Sequence, residues 1–217
     1  RRQFGDAAEI GYQPLLPIRG HLTHQYRVRL VFRGNNEIPV LNRSTYLAYA
    51  RESETCGHLD RWLLGHCLAQ LRARLQGGAD LRLQVPICAD TLEDPGFAAW
   101  VQAELSRLDL PAQHLSLELD AEPLVASPAT AASRLAPLAA MGVRLAAGPL
   151  VDPECQALAR MNELTLLMLP LATESSGKPI NDKLLRAALE YGKTVIACGA
   201  DNVRQLPEVF SLNIHYV

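Results

Sequence analysis

The chain has 217 residues, 48% hydrophobic and 20% charged, a globular balance with no disordered tail. Its formal net charge of −2 gives no long-range pull on nucleic acid or anionic lipid. No apolar run approaches the about 18 residues of a membrane span, and the amino terminus lacks the basic-then-apolar pattern of a signal peptide. Membrane-spanning and secretory readings therefore fail for these residues, and a soluble fragment is expected.

In chain order, residues 12–16 and 26–32 read as strands, with Gly34-Asn35-Asn36 as a turn into Ile38-Pro39-Val40. Residues 59–75 form the clearest helix, with Trp62, Leu63, His66, Cys67, Gln70 and Leu71 at three- and four-residue steps and Gly77-Gly78 closing it. The register then repeats. A strand over 81–85 precedes a helix over 95–108, a strand over 115–119 a helix over 129–141, and a strand over 143–146 a helix over 152–161. A strand over 164–169 precedes a helix over 181–191, and a strand over 194–197 a short helix near 203–206. Residues 214–217 read as a last strand. Strand after helix after strand implies parallel pairing, and about eight strands imply closure, so the expected fold is α/β, a (β/α)8 barrel filling residues 1–217 as one domain. About 250 residues is typical of that fold.

The five cysteines, Cys56, Cys67, Cys88, Cys155 and Cys198, are odd in number and widely spaced, with no Cys-x-x-Cys and no histidine at zinc-finger spacing. Reduced, mostly buried thiols of a cytoplasmic protein are the plain reading. The histidines are scattered. His21 and His24 have no nearby third ligand and read as loop surface. No metal site and no cofactor is expected. The chain begins abruptly at Arg1-Arg2-Gln3 and stops on an apparent strand, as expected of a piece cut from a longer protein.

Several segments carry a resemblance. Tyr12-Gln13-Pro14-Leu15-Leu16 stands where one bacterial family opens with Tyr-Gln-Pro-Ile-Val, and Leu59-Asp60-Arg61-Trp62-Leu63-Leu64 where it has Leu-Asp-Arg-Trp-Val-Leu. Val85-Pro86-Ile87-Cys88, Leu117-Glu118-Leu119-Asp120, Gly142-Val143-Arg144-Leu145-Ala146 and Lys193-Thr194-Val195-Ile196-Ala197 follow in matching order and spacing. The chain resembles an EAL domain, the cyclic di-GMP phosphodiesterase fold, from about Tyr12 to Val217. The resemblance implies a barrel of the EAL type.

It also implies that the catalytic positions are overwritten. Arg27 stands at the name-giving glutamate, Pro86 at the asparagine, and Gly148 and Pro149 at the paired aspartates. Met168 stands at the lysine and Cys198 at the glutamate of Ala-Glu-Gly; Glu118 alone keeps its type. Leu150-Val151-Asp152-Pro153 replaces the loop that helps active members close the site and dimerise. A guanidinium offers no lone pair to Mg2+ or Mn2+, and one carboxylate cannot supply the six or so oxygens such ions want. The expectation is a degenerate member, not an enzyme.

Two readings of function stay open. By analogy with degenerate members of the family, the first is a regulatory module that docks a protein partner, whose identity no residue run reveals. The second is a cyclic di-GMP receptor that binds without cutting. Gln13 matches a residue lining the family's nucleotide site, with Arg27, Arg29 and Glu118 as further candidate ligand contacts. Against it, Val31 stands at the family's phosphate-gripping arginine and Met168 at its lysine. At roughly 1.5 to 3 kcal/mol per charged hydrogen bond, two lost contacts weaken binding by roughly two to four orders of magnitude unless Arg27, Arg29 or Arg33 substitutes.

Alternation along the second strand puts Arg27, Arg29 and Val31 on one face and the apolar Val28, Leu30 and Phe32 on the other, toward the helices. The arginines then face the barrel interior or its mouth. There they either rebuild an anion site or replace the lost cation beside Glu118, which is costly to bury without a positive neighbour. The second reading predicts an ion pair from Arg27 or Arg29 to Glu118. Cys198 is expected to fill vacated space as a buried thiol.

Overall fold

A computed structural model describes residues 8–18, 23–33, 41, 43–171, 180–199 and 206–217. Alternation on the second strand sorts the residues as anticipated. Val28 and Leu30 are buried at 1% and 4% with Phe32 packed beside them, while Gln25 and Arg27 take the opposite face.

The strands are β1 (Ala8–Leu15), β2 (His24–Phe32), β3 (Leu81–Pro86), β4 (Leu115–Leu119), β5 (Arg144–Ala147), β6 (Leu166–Pro170) and β7 (Thr194–Cys198), one sheet in sequence order. From β2 onward every pair is parallel, but β1 runs antiparallel to β2, from Ala8 opposite Phe32 to Leu15 opposite Gln25. The cause is local: the link from Leu15 to His24 is too short for the dozen or more residues of a parallel crossover.

Residues 214–217 close the ring. Leu16 N donates to Val217 O at 2.6 Å and Val217 N to Leu16 O at 3.0 Å, while Ala197 N donates to Tyr216 O at 2.8 Å. Tyr216 thus bridges Pro17 on one edge and Ile196 on the other, serving as an abbreviated eighth stave. The fold is an α/β barrel of the TIM-like kind.

The helices are α1 (Arg43–Glu52), α2 (Cys56–Gln76), α3 (Phe97–Arg107), α4 (Ala121–Ala126), α5 (Pro128–Ala140), α6 (Gln156–Ala159), α7 (Asp182–Glu190) and α8 (Leu206–Ser211). Buried positions on α2, namely Cys56, Leu59, Asp60, Leu63, Leu64, Cys67, Leu68 and Leu71, also step by three and four, but on a face that keeps Leu63, Cys67 and Leu71 of the residues read from sequence and leaves Trp62 half-buried and His66 and Gln70 exposed. Asn181 caps α7, its side chain accepting from Lys183 N and Leu184 N.

Two expectations differ from the structure. Helix α1 was missed, because only Tyr46, Leu47 and Ala50 of its ten residues are buried. The helix expected over 152–161 is a 3-10 turn, Pro153–Cys155, followed by the single turn of α6. Of the short helix expected near 203–206, residues 203–205 lie outside the described residues, and a helix is described at Leu206–Ser211. The turn at Gly34-Asn35-Asn36 and the run Ile38-Pro39-Val40, with His21 and Val203, lie outside the described residues. No helix among the described residues is long and apolar enough to cross a membrane.

Two cores result. The larger lies between the sheet and the helices. The smaller fills one side of the barrel with Leu15, Ala146, Leu166, Met168, Ile196 and Tyr216. The other side, from β2 to β5, is polar: Gln25, Gln84, Ser116 and Glu118 are all buried there. That division positions the site.

Candidate functional site

Register brings the inward-facing polar residues into one network. Arg27 pairs with Gln84 across β2 and β3, and Pro86 with Glu118 across β3 and β4. Glu118, 2% exposed, accepts two hydrogen bonds from Arg27: Nη2 to Oε1 at 2.6 Å and Nε to Oε2 at 2.7 Å. Gln84 Nε2 donates to the same Oε2 at 2.8 Å and lies 3.2 Å from Met168 Sδ. Gln25 Nε2 donates to Gln84 Oε1 at 2.8 Å, and Arg144 Nη1 to Gln25 Oε1 at 3.2 Å. The chain Arg144, Gln25, Gln84, Glu118, Arg27 therefore runs across four strands with a cation at each end. Forked guanidinium–carboxylate pairs are the strong form of charged hydrogen bond.

Burial works against the charge on Arg27, but hydrogen bonding and attraction from Glu118 outweigh it and raise its pKa. The guanidinium stays charged. Toward the mouth, Arg27, Arg29, Arg43, Tyr46, Pro86 and Glu118 are among the residues lining a cavity of about 240 Å³. Arg43 Nη2 donates to Ile87 O at 3.1 Å and to Asp120 Oδ2 at 3.4 Å. Arg29 is exposed. Gln13 faces Arg27 in the β1–β2 register but is exposed and does not line this cavity.

Of the four residues singled out from sequence, Arg27 and Glu118 are joined directly, Arg29 shares their cavity, and Gln13 stands apart. Gln25, Gln84 and Arg144 were missed. A signal existed, since each is a polar residue at an inward position of a strand whose other face is largely apolar. Arg43 carried none, because its helix was not recognised.

The EAL domain family model matches residues 5–151. The chain belongs to the EAL domain family. A search of curated proteins finds no match. Among solved structures, the EAL-type barrel is similar to the FimX EAL domain of Xanthomonas citri in complex with c-di-GMP (TM-score 0.79, 20% identity, 98% of this chain and 85% of that one). It is also similar to the FimX EAL domain of Pseudomonas aeruginosa bound to c-di-GMP (TM-score 0.81, 18% identity, 97% and 87%). A third likeness is to the PaMucR phosphodiesterase in its c-di-GMP complex (TM-score 0.78, 19% identity, 97% and 92%).

In this EAL domain the residues at the mouth do not fit a hard divalent cation. Both oxygens of Glu118 are taken by Arg27 and Gln84, and Pro86, Gly148, Pro149 and Met168 bring no side-chain oxygen. Gly148 is confined by its neighbour: a Cβ there would overlap Met168 Cβ and lie 2.8 Å from Met168 O. The same segment is pinned to β6 by Leu150 N donating to Met168 O at 2.8 Å. An aspartate at 148 has no room. Cys198 packs against the inner apolar cluster, and burial, only partly opposed by Arg27, pushes its thiol up to about 11. It is a poor nucleophile at neutral pH.

Proposed function

We propose that this EAL domain is a regulatory module that does not hydrolyse cyclic di-GMP and acts by docking a protein partner in bacterial signalling. The observation that carries this reading is the forked Arg27–Glu118 pair. A two-metal hydrolysis needs ions that activate water and stabilise the leaving oxygen, and a guanidinium does neither job of an open coordination site. The barrel around the pair is intact, which supports a role for its shape. Val151, 61% exposed in the loop after β5, puts an apolar side chain on the outside.

One observation favours a second reading, a receptor that binds cyclic di-GMP without cutting it. The similar FimX and PaMucR structures are complexes with c-di-GMP, and Arg29 stands exposed in the mouth cavity beside Arg27. Arg27, Arg29 and Glu118, which line that cavity, are then the contacts, with Gln13 outside it. The first reading leads because Glu118 neutralises Arg27, and because a cavity of about 240 Å³ falls below the about 300–1,000 Å³ usual for small-molecule sites.

Calorimetric titration with cyclic di-GMP, with and without Mg2+, separates the two. The leading reading expects no heat at accessible concentrations. Binding at micromolar strength, weakened by Arg29→Ala, replaces it with the receptor reading.

A further inference from the structure

Away from the Arg27–Glu118 network, three segments converge on a second cluster. Cys56 opens α2, Cys88 follows β3, and Asp90 lies in the 3-10 turn Ala89–Glu93. Their two sulfurs and a carboxylate oxygen lie within 4.8 Å of one another. Cys56 and Cys88 are buried, at 5% and 0%, whereas the Asp90 side chain is 50% exposed. The Cys88 thiol donates to Asp90 Oδ2 at 2.7 Å, and Arg51 Nε donates to the same oxygen at 2.8 Å. The backbone of Cys88 is held in place by its N–H, which donates to the buried Asp60 Oδ2 at 2.7 Å.

We propose that Cys56, Cys88 and Asp90 form a binding site for a thiophilic divalent cation of the zinc class. Tetrahedral zinc sits about 2.3 Å from thiolate sulfur and about 2.0–2.2 Å from carboxylate oxygen, so its ligand atoms stand roughly 3.5–3.8 Å apart. In the structure the Cys88–Asp90 edge is 2.7 Å and all edges lie within 4.8 Å. The Cys88–Asp90 edge must widen by roughly 1 Å to match it, which a turn of the exposed carboxylate supplies. The half-exposed Asp90 side chain gives the cluster its contact with solvent.

The charges also balance. Binding a divalent cation displaces one proton from each thiol, and both protons go to solvent. Two thiolates and a carboxylate then carry three negative charges against the two of the cation, and Arg51 offsets the remainder. Burial pushes both thiols above their ordinary range; because the thiolate is the metal ligand, binding works against that shift and strengthens as pH rises. A bound cation clamps the start of α2 to the segment after β3. The inference is independent of the reading of the barrel mouth.

Reduced, metal-free protein titrated with Co2+ tests it. A thiolate-to-cobalt charge-transfer band is expected to saturate at equimolar metal and to vanish on adding Zn2+. Asp90→Asn, at an exposed position, is expected to weaken the affinity by at least about tenfold; Cys88→Ser abolishes the band and Cys67→Ser leaves it. If Cys88→Ser does not fold, the cobalt band of the unaltered protein and its weakening in Asp90→Asn decide. Absence of the band, a band indifferent to Asp90→Asn, or a Cys56–Cys88 disulfide forming where no metal is taken up would overturn the proposal.

Discussion

At the scale of single residues, Arg27 and Glu118 are each other's reason for being buried. Removing the cation alone leaves a carboxylate that is 2% exposed without its charge partner. Arg27→Met is therefore expected to cost about 3–5 kcal/mol, as read from urea denaturation. The double variant Arg27→Met with Glu118→Leu should recover most of that loss, because the uncompensated charge leaves with its partner. A single-variant cost within error of zero would show that the pair carries no weight. Cys198 makes a separate prediction. With its thiol near 11 rather than the ordinary 9.0, alkylation should stay slow through neutral pH and rise as pH climbs toward 11, measured by mass spectrometry of the peptide that contains it. The folded state holds this proton more tightly than the unfolded chain. The associated stability is therefore fully present below about 9 and is lost as pH rises through about 11.

At the scale of elements, the closing segment and the loop after β5 matter most. Tyr216 is 1% exposed, packs in the inner apolar cluster, and donates its hydroxyl to Thr23 O at 3.2 Å. Tyr216→Ala empties the space between β1 and β7 and is expected to cost about 3–5 kcal/mol in the same denaturation assay. Restoring one aspartate by Gly148→Asp should destabilise the domain by about 1–3 kcal/mol through overpacking against Met168, without conferring hydrolysis. Most elements were legible in the sequence, because β4 alternates apolar and polar residues, even though all five are buried, and α2 buries residues at three- and four-residue steps. What escaped notice had weak local signal. Helix α1 buries few side chains, the antiparallel β1 depends on a short link rather than on composition, and the polar chain through Gln25 and Gln84 exists only once strand register aligns them. The Arg27–Glu118 pair was readable because a strand's alternation and one surviving carboxylate pointed to the same place. The Cys56, Cys88 and Asp90 cluster was not readable, since spacing along the chain does not report which helix start meets which strand end.

At the scale of the whole molecule, the EAL barrel is built and closed while its mouth is wired differently from a metal site. Half of the interior is apolar and half is a hydrogen-bonded polar chain that ends in guanidinium groups. A fold can persist while the chemistry at its strand ends changes, because the outer core that stabilises the barrel is separate from the residues at the mouth. The most direct test of the account is prolonged incubation of the purified domain with cyclic di-GMP in Mg2+ and then in Mn2+, with chromatography for linear dinucleotide. No product above the metal-only control is predicted with either ion. Product that accumulates with metal and disappears in Glu118→Gln would contradict the account, because it would require the cation to displace Arg27 from the buried Glu118 carboxylate.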